Sequence, residues 1–388
     1  MLEETADSVI GGEYGAPLLL WVEQLAHGKN GPVPGLSVKA RFSEPNLERA
    51  SALAPDRDFL PSLDRYARLE YQGERRLVGS VDASRGCKHW CRHCPIPPVY
   101  GGRFYAVSVD AVLSDIRELA RRGARHIHFT DPDFLNGPAH AARIARALHE
   151  AFPELSFDFT AKVEHILKQR PLFKELAAMG CLFVVTALES LSDRVLENLD
   201  KGHTRGDILQ ALAVLKEAGI AMRPSFVAFT PWTSLEDYAD MLDFIEHEGL
   251  IGHVDAVQLS IRLLIPPGSL LLGVEALKPF LGALRQENFA YDWKHPDPRM
   301  EELWTDVRRL VEDAAKRGEE AHMTFYRIRE KALAATGIRG RALPEGENRR
   351  PAETAVASER SETRPPRLSE AWFCCAEPTD AQIEIVEG

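Results

Sequence analysis

The chain has 388 residues, of which 45% are hydrophobic, and a formal net charge of -11 at pH 7. This length allows at least one large hydrophobic core and predicts two or three structural units. The acidic balance argues against a nucleic-acid partner bound through a broad basic surface. The longest apolar stretches, such as residues 16–22, are too short to span a bilayer and lack a secretory cleavage pattern. We therefore expect no membrane partner and a cytoplasmic location.

Strands and helices alternate over residues 77–272, the order that predicts parallel βα units. Six strands are expected, at residues 77–83, 126–130, 156–161, 182–188, 221–229 and 256–264. Helices with apolar residues at a 3.6-residue period are expected between them, at 109–122, 139–151, 171–179, 204–218 and 235–248. Gly123, Gly180 and Gly219 each follow a helix, where a left-handed cap is expected. The pattern predicts the α/β class and describes a partial (β/α)6 barrel.

Three further units flank the predicted barrel. Residues 1–76 form a short N-terminal extension, and residues 273–336 are expected to be helical, with helices at 300–317 and 326–335. Residues 337–367 are rich in Arg, Glu, Pro, Ser and Gly, a composition typical of a flexible linker. Residues 337–388 are therefore expected to be a flexible linker that ends in a short apolar tail bearing a Cys pair.

Cys87, Cys91 and Cys94 are spaced C-x3-C-x2-C. Three thiolates on one loop can hold three irons of a four-iron four-sulfur cluster and leave the fourth iron open. A structural zinc site or a fully ligated cluster normally needs four protein ligands, and no fourth Cys lies nearby in the sequence. Zinc and unligated thiols remain alternatives. Six Cys with this spacing do not suggest a disulfide framework and fit a reducing compartment.

At these residues the sequence resembles the radical S-adenosylmethionine (radical SAM) superfamily. The resemblance implies a partial barrel whose first strand is followed by the Cys loop, which we define as residues 87–94. It also implies a [4Fe-4S] cluster whose open iron chelates S-adenosylmethionine, so that one electron cleaves a carbon-sulfur bond and releases a carbon radical. A flavodoxin- or ferredoxin-type electron donor and a small-molecule substrate are the partners that it implies.

The functional groups of parallel barrels collect at the C-terminal ends of the strands. Asp131 closes the second predicted strand and resembles a family segment near the amino group of S-adenosylmethionine. Glu189 and Ser190 end the fourth strand and resemble a family Glu-Ser element near its ribose and methionine parts. His93 occupies a position where the family often has an aromatic ring near adenine. Capping of a loop by Asp131, and of the next helix by Glu189 and Ser190, is the structural alternative.

Three cations lie at or near other strand ends. Lys162 ends the third predicted strand, Arg223 lies on the fifth and Arg262 on the sixth. Either arginine could pair with a carboxylate in bidentate geometry, so all three are candidate cofactor-binding residues. The alternative is that they pair with helix carboxylates outside the barrel.

The N-terminal extension bears on a possible third cofactor. Residues 6–13 and 18–26 resemble the end of the cobalamin-binding domain of cobalamin-dependent radical SAM enzymes. An Asp-x-His-x-x-Gly element, which supplies the lower ligand to cobalt in such domains, does not occur in this segment. Cobalamin is therefore not expected as a cofactor.

The C-terminal residues 371–378 read Ala-Trp-Phe-Cys-Cys-Ala-Glu-Pro. They resemble a radical SAM subfamily known by its Cys-Cys-Ala-Glu-Pro tail, in which some members carry selenocysteine at the position of Cys375. Adjacent thiols can chelate a thiophilic atom, attack an electrophile or form a vicinal disulfide. Cys374 and Cys375 are therefore candidate catalytic residues, and an incidental Cys pair is the alternative.

The leading interpretation is a radical SAM enzyme that modifies a small molecule with help from the Cys pair. A variant is transfer of the 3-amino-3-carboxypropyl group of S-adenosylmethionine to a thiophilic acceptor such as trivalent arsenic. An alternative of another class is an iron-sulfur redox sensor or binding protein. Modification of a peptide would call for a recognition domain or further cluster motifs, and neither is visible in the sequence.

Overall fold

The computed structural model describes residues 6–39, 41–49, 54–337 and 364–370. Its strands are β1 (Ser8–Ile10), β2 (Leu36–Val38), β3 (Arg68–Tyr71), β4 (Glu74–Val81), β5 (Ser84–Gly86), β6 (Phe104–Ala106), β7 (His126–Phe129), β8 (Ser156–Thr160), β9 (Cys181–Glu189), β10 (Ala221–Phe226), β11 (Leu281–Arg285), β12 (Ala290–Trp293) and β13 (Arg367–Leu368). Its α-helices are α1 (Gly15–Ala26), α2 (Ile96–Tyr100), α3 (Val109–Arg121), α4 (Pro138–Ala151), α5 (Val163–Lys168), α6 (Arg170–Ala178), α7 (Asp193–Leu199), α8 (Arg205–Ala218), α9 (Leu235–His247), α10 (Pro298–Arg317) and α11 (Ala321–Ala335).

The main sheet has seven strands in the order β10-β9-β8-β7-β4-β3-β13. The five strands β4, β7, β8, β9 and β10 are parallel to their neighbours in this set. β3 pairs antiparallel with β4, and β13 pairs antiparallel with β3. The α/β class and the partial barrel predicted from the sequence are confirmed. Gly123, Gly180 and Gly219 have φ of +97°, +98° and +74°, which confirms the predicted left-handed caps.

Side chains alternate between the two faces of the parallel strands. The outer face carries apolar residues such as Ile127 and Phe159, which are fully buried with the helices in one large core. The inner face carries a small apolar cluster around Phe183 together with buried polar groups. Among these, His126 and His128 both lie 2.8 Å from carboxylate oxygens of Asp158. The barrel interior is therefore partly polar before any ligand is considered.

The prediction of a sixth full strand at residues 256–264 is wrong. These residues form a short 3-10 turn, Ala256–Leu259, and one parallel bridge between Phe229 and Arg262. The side-chain oxygen of Gln258 accepts the Phe226 N–H at 3.1 Å, so a side chain takes the place of a strand neighbour there. The barrel therefore has five regular parallel strands.

The region after the barrel is only partly helical, in contrast to the prediction. α10 and α11 are present, but β11 and β12 form an antiparallel hairpin before them. Trp293 at the end of β12 is buried, and its indole N–H donates to the Leu263 carbonyl at 2.7 Å. This contact fixes the hairpin to the chain segment that follows the barrel. No helix within the described ranges has the length and hydropathy needed to cross a membrane.

Two strands of the sheet come from segments outside the predicted barrel. β3 belongs to the predicted N-terminal extension, and β13 lies where a linker was expected. The Ser369 N–H donates to the Arg68 carbonyl at 2.7 Å, and the Arg68 N–H donates to the Ser369 hydroxyl at 2.9 Å. β13 therefore runs parallel to β4, toward the carboxyl end of the barrel strands. Cys374 and Cys375 lie outside the described residues.

Candidate active site

The Cys loop follows the carboxyl end of β4. It begins where β5 pairs with β6 in a short antiparallel hairpin. Gly86, the last residue of β5, has φ of +76°, and a Cβ there would lie 2.5 Å from the Arg103 carbonyl oxygen. A glycine is therefore required immediately before Cys87. Cys87 and Cys91 are buried, and Cys94 is half-buried.

The donor set of this loop fits an iron-sulfur cluster with three protein ligands. Thiolates suit iron, and burial raises the pKa of the Cys87 thiol, so a nearby metal charge is needed to hold it as a thiolate. Cys181, the other cysteine in the described ranges, starts β9 and lies about 26 Å along that strand from its carboxyl end. Its thiol is buried, and burial raises its pKa well above the usual value. Cys181 is therefore a core residue and not a fourth ligand at this loop.

His89, the middle residue between Cys87 and Cys91, lies against the ends of β7 and β8. Its Nε2 is 3.5 Å from an Asp133 carboxylate oxygen, which also lies 2.8 Å from His165 Nδ1. The Lys162 Nζ lies 3.2 Å from His89 Nδ1. Burial opposes ionisation of Asp133, but the two histidines outweigh it and hold its pKa below the usual value. We call Asp133, His89, His165 and Lys162 the Asp133 network.

The side chains of His89, Asp133 and His165 are close enough together to hold a metal ion. The mutual contacts already described give each of these side chains a partner. The Asp133 network therefore ties the Cys loop to two barrel strands.

A second buried network joins His93 to the end of β9. His93 Nε2 lies 3.1 Å from a Glu189 carboxylate oxygen, and Lys201 Nζ donates to the same oxygen at 3.1 Å. Burial opposes ionisation of Glu189, but Lys201 and His93 outweigh it and lower its pKa to about 2. Glu189 has φ of +65°, a backbone conformation that is unfavourable for a residue with a Cβ. Ser190 accepts the Ser192 N–H at 3.1 Å, which is a turn-capping role.

Asp131 supports the start of the loop. One carboxylate oxygen accepts the Ala83 N–H at 2.9 Å, and the other accepts the Ser84 hydroxyl. Burial raises the pKa of Asp131 to about 7. Asp131 therefore accepts two hydrogen bonds from the segment between β4 and the Cys loop. This role resembles the loop-capping alternative more than direct contact with a cofactor.

The two arginines occupy different surroundings. Arg223 is buried inside the barrel, where it donates to Asp255 at 3.0 Å and keeps Nη1 without a hydrogen-bond partner. Arg262 pairs with both carboxylate oxygens of Glu301 on α10 and lies between two tryptophan rings, Trp293 and Trp304. Arg262 thus shows the alternative in which the arginine pairs with a helix carboxylate.

Buried polar atoms without a hydrogen-bond partner mark space for a polar ligand. Near the Cys loop these include Asn136 Nδ2, His93 Nδ1 and both ring nitrogens of His203. Burial, with Lys201 and Lys162, lowers the pKa of His203 to about 4, so its ring is neutral near pH 7. A cavity further inside the barrel is lined by Arg223, His128 and Ser225, and also by Leu368 and Glu370 from the β13 segment.

Sequence reasoning missed five residues of this site. Asp133 is two residues from the predicted Asp131, and His89 lies inside the Cys loop itself. His165 follows β8 by five residues, and Lys201 and His203 flank Gly202 in the turn after α7. The available signal was proximity, and it covered three of the five: Asp133 and His165 come after strands and His89 lies in the Cys loop, whereas Lys201 and His203 come after a helix. Sequence periodicity did not distinguish the three histidines and Lys201 from surface residues.

Comparisons with known proteins are consistent with this geometry. Residues 81–245 match the family model of the radical SAM superfamily. Over 241 residues the chain is 26% identical to the "uncharacterized methyltransferase PH0819" of Pyrococcus horikoshii, which covers 61% of this chain and 52% of that protein. It is 25% identical to the hopanoid C-3 methylase of Methylococcus capsulatus over 57% of this chain and 42% of that protein. The chain thus spans about half the length of these curated relatives.

The fold also resembles that of a solved structure. The cobalamin-dependent S-adenosylmethionine radical enzyme OxsB, with aqua-cobalamin bound, matches with a TM-score of 0.64 at 16% identity. The match covers 79% of this chain and 51% of that chain, and at this identity it shows the fold alone. The prediction that cobalamin is not expected receives no support from these comparisons.

Proposed function

We propose that the chain is a radical SAM enzyme that cleaves S-adenosylmethionine reductively to modify a small molecule, because residues 81–245 match the family model of the radical SAM superfamily. Cys87, Cys91 and Cys94 would hold a [4Fe-4S] cluster, which supplies the electron that breaks a carbon-sulfur bond of S-adenosylmethionine. The observation that carries the proposal is the three-thiol loop at the carboxyl end of the barrel, with no fourth cysteine beside it among the described residues.

The proposed tasks of the chain's own residues are to bind and orient S-adenosylmethionine. Lys162 and Lys201 are buried cations near the Cys loop, and a carboxylate is the ligand group that such cations attract. The neutral His203 ring and the open Nδ1 of His93 offer hydrogen bonds to the polar edge of an adenosine. The predicted roles of Asp131, Glu189 and Ser190 become indirect, since these groups hold the backbone and His93 in place.

Arg223 is the better placed of the two arginines for a substrate anion. Its unpartnered Nη1 lies in the barrel interior, beside the cavity that His128 and Ser225 line. We assign Arg262 to packing of α10, because Glu301 and the tryptophan rings surround its guanidinium group.

The Cys374 and Cys375 pair is proposed to act on the substrate at the same end of the barrel. β13 runs parallel to β4 and so directs the chain toward the Cys loop. Leu368 and Glu370 already line the interior cavity, and the six residue steps from Leu368 to Cys374 can span up to about 20 Å. The thiol pair is thus within reach of the carboxyl end of the barrel.

The bond that breaks in S-adenosylmethionine decides between two forms of this proposal. Hydrogen abstraction from a small molecule yields 5'-deoxyadenosine. Transfer of the 3-amino-3-carboxypropyl group to a thiophilic acceptor, such as trivalent arsenic held by the thiol pair, yields 5'-methylthioadenosine. Mass spectrometry of the nucleoside products separates the two.

A second candidate function is methyl transfer with cobalamin. The curated relatives with methyltransferase and methylase names and the cobalamin-dependent structural neighbour favour it. It predicts S-adenosylhomocysteine as a product and a cobalamin absorption spectrum after incubation with the cofactor. Absence of both would restrict the function to the first proposal.

The test is anaerobic reconstitution with iron and sulfide, followed by incubation with S-adenosylmethionine and dithionite. Wild type should bind iron and consume S-adenosylmethionine, and the Cys87→Ala/Cys91→Ala/Cys94→Ala variant should do neither. Cys374→Ala/Cys375→Ala should retain the cluster but lose product formation on the substrate. A cluster-loaded protein that never consumes S-adenosylmethionine would favour the iron-sulfur sensor instead.

A further inference from the structure

The interior cavity lies between the two edge strands of the main sheet. β10 and β13 are the first and last strands in the sheet order. The cavity is lined from one edge by Arg223 and Ser225 of β10 and from the other by Leu368 and Glu370 of the β13 segment. A group that fills this cavity therefore contacts both edges of the partial barrel. The β13 edge leads, four residues after Glu370, to Cys374.

Two buried side chains of β10 have polar atoms that no described residue uses. Arg223 is 7% exposed and keeps Nη1 without a partner, and Ser225 is 5% exposed and keeps its hydroxyl without one. The two residues are two positions apart on one strand, so their side chains lie on the same face of the sheet. Buried polar groups are normally paired, so two open donors at one cavity indicate a ligand that carries oxygen acceptors.

His128 offers a third donor at the same cavity. Its Nδ1 lies 2.8 Å from an Asp158 carboxylate oxygen, which leaves Nε2 for a ligand in the cavity that the ring lines. Burial opposes the charged ring, but Asp158 outweighs it and raises the His128 pKa, which favours the form with an N–H at both nitrogens. Two buried cations, Arg223 and His128, therefore line the cavity.

The other charges at the cavity favour an oxyanion with a single charge. Arg223 Nη2 already donates to Asp255 at 3.0 Å, and Asp255 and the exposed Glu370 also line the cavity. These two carboxylates would repel a dianion such as phosphate. A carboxylate carries one charge, and its two oxygens match Arg223 Nη1 and the Ser225 hydroxyl as acceptors.

We propose that the interior cavity binds a carboxylate group of the substrate through Arg223, Ser225 and His128, and that the bound carboxylate holds β13 in place. This inference rests on the proposed function and assigns the substrate to the carboxylic acids. β13 pairs with β3 through two residues, fewer than a typical strand has. A ligand that needs β13 as a cavity wall stabilises this pairing. The substrate thus positions the strand from which the thiol pair extends.

The test of binding is fluorine NMR of trifluoroacetate titrated with the full chain after anaerobic reconstitution. Wild type should bind trifluoroacetate about tenfold more tightly than neutral trifluoroacetamide. Arg223→Gln/Asp255→Asn, which leaves no carboxylate unpaired, should weaken this binding about tenfold or more, and Ser225→Ala about threefold. Arg117→Gln, on an exposed position of α3, is the control and should bind like wild type.

Amide hydrogen exchange tests whether the ligand holds β13. The Ser369 N–H donates to the Arg68 carbonyl, so its exchange rate measures the opening of β13. Trifluoroacetate at ten times its dissociation constant should slow this exchange about tenfold in wild type, because a ligand that binds only the closed form lowers the open population by about that factor. At the same concentration, the Arg223→Gln/Asp255→Asn variant should slow by less than about twofold.

Four results would overturn the inference. Equal affinity for trifluoroacetate and trifluoroacetamide would show that the cavity does not select an anion. Unchanged binding in the Arg223→Gln/Asp255→Asn variant would place the probe elsewhere, with Lys162 and Lys201 as the next cations to examine. Bound trifluoroacetate that leaves Ser369 exchange unchanged would remove the role of β13. Inorganic phosphate that displaces trifluoroacetate at a lower concentration than acetate does would assign a phosphate site instead.

These measurements separate the inference from the proposed function, because none of them needs cleavage of S-adenosylmethionine. If wild type fails to cleave S-adenosylmethionine with dithionite, the proposed function fails while the affinity for trifluoroacetate remains measurable. Ser225→Ala removes one donor and leaves every charge paired, so it decides the role of the cavity if the Arg223→Gln/Asp255→Asn variant does not fold.

Discussion

Asp133 holds the inner side of the Cys loop although it lies outside the loop in the sequence. It is fully buried, and its carboxylate accepts the N–H groups of Leu135 and Lys162 in addition to its contacts with His89 and His165. Removing its charge leaves buried donors without a matching acceptor, which is costly because water does not replace the lost partner.

Asp133→Asn is therefore expected to lower the free energy of unfolding by roughly 3 kcal/mol. Urea denaturation of the cluster-free protein measures this value. Asp313→Asn, on an exposed position of α10, is the matched control and should change it by less than about 0.5 kcal/mol. Equal effects of the two substitutions would contradict a structural role for the Asp133 network.

The pair of His128 and Asp158 inside the barrel should make the free energy of unfolding depend on pH. Burial opposes the charged form of His128, but the Asp158 carboxylate outweighs it and raises the His128 pKa. Burial likewise opposes ionisation of Asp158, but His128 and His126 outweigh it and lower the Asp158 pKa. Stabilisation by His128 is full below about pH 6.5 and is lost as pH rises through its folded pKa. Stabilisation by Asp158 is present above about pH 3.9 and is lost as pH falls through its folded pKa.

Asp158→Asn should therefore destabilise the protein most between about pH 4 and pH 6.5. The difference in unfolding free energy from wild type should become smaller toward pH 9, because His128 is then neutral in both proteins. Urea denaturation at a series of pH values measures this difference. A difference that stays constant up to about pH 9 would show that the pair is not charged in the folded state.

At the scale of elements, the hairpin of β5 and β6 sets the base of the Cys loop. Gly86 and Gly73 have nearly equal φ, +76° and +77°, but only Gly86 faces a backbone oxygen, whereas nothing lies within 4 Å of a Cβ at Gly73. Alanine at either position incurs the left-handed backbone cost of about 1 kcal/mol. Gly86→Ala must also shift β6 away from Cys87. Its iron content after reconstitution should fall well below that of Gly73→Ala, which should match wild type.

β13 is the element that connects the tail to the barrel. Ser369→Pro removes the N–H that donates to the Arg68 carbonyl, whereas Ser369→Ala keeps it. We expect Ser369→Pro to increase amide hydrogen exchange in β3 and to lower product formation while cleavage of S-adenosylmethionine with dithionite persists. Ser369→Ala removes only the hydroxyl that accepts the Arg68 N–H, so it should raise exchange at Arg68 alone and leave product formation close to wild type. Unchanged product formation in Ser369→Pro would argue against a positioning role for β13.

The limits of sequence prediction also appear at the scale of elements. The parallel strands and their helices were predictable because outward residues such as Ile127 and Phe159 alternate with polar ones and glycines end the helices. The failed sixth strand depends on a side-chain amide, Gln258, that replaces a backbone partner, and no periodicity records that contact. The pairing of β13 with β3 joins Leu368 to Leu69 across about 300 residues, a distance at which local propensity carries no information.

The candidate site likewise contains residues that the sequence predicts and residues that it does not. The three-thiol loop was predictable because its three Cys lie at fixed spacing in one short segment. Asp133, Lys201 and His203 were not, because their roles arise from burial and from neighbours far away in the sequence. Arg262 was predicted to bind a ligand but has a packing role. Its position in a predicted strand suggested a ligand role, whereas in the structure its guanidinium group pairs with Glu301.

At the scale of the whole molecule, the Cys loop is the point where separate parts of the chain meet. Glu13 of the N-terminal region accepts the Tyr100 hydroxyl at 3.0 Å and pairs with Arg85 beside the loop. The Asp133 network ties the loop to β7 and β8, and Glu189 ties it to β9. A group bound at this loop therefore stabilises contacts across most of the described chain. Because only the folded chain brings the three thiols together on the barrel, cluster binding favours the folded state.

Anaerobically reconstituted protein should therefore unfold at a higher temperature than the cluster-free protein. A ligand present at a hundred times its dissociation constant stabilises by about 2.7 kcal/mol, which corresponds to a shift of roughly 3 °C for a chain of this size. Anaerobic calorimetry of the two forms measures the shift. The Cys87→Ala/Cys91→Ala/Cys94→Ala variant should show none after the same treatment, because its loop cannot hold iron. An equal shift in that variant would place the stabilising metal elsewhere, with the side chains of His89, Asp133 and His165 as the first group to examine.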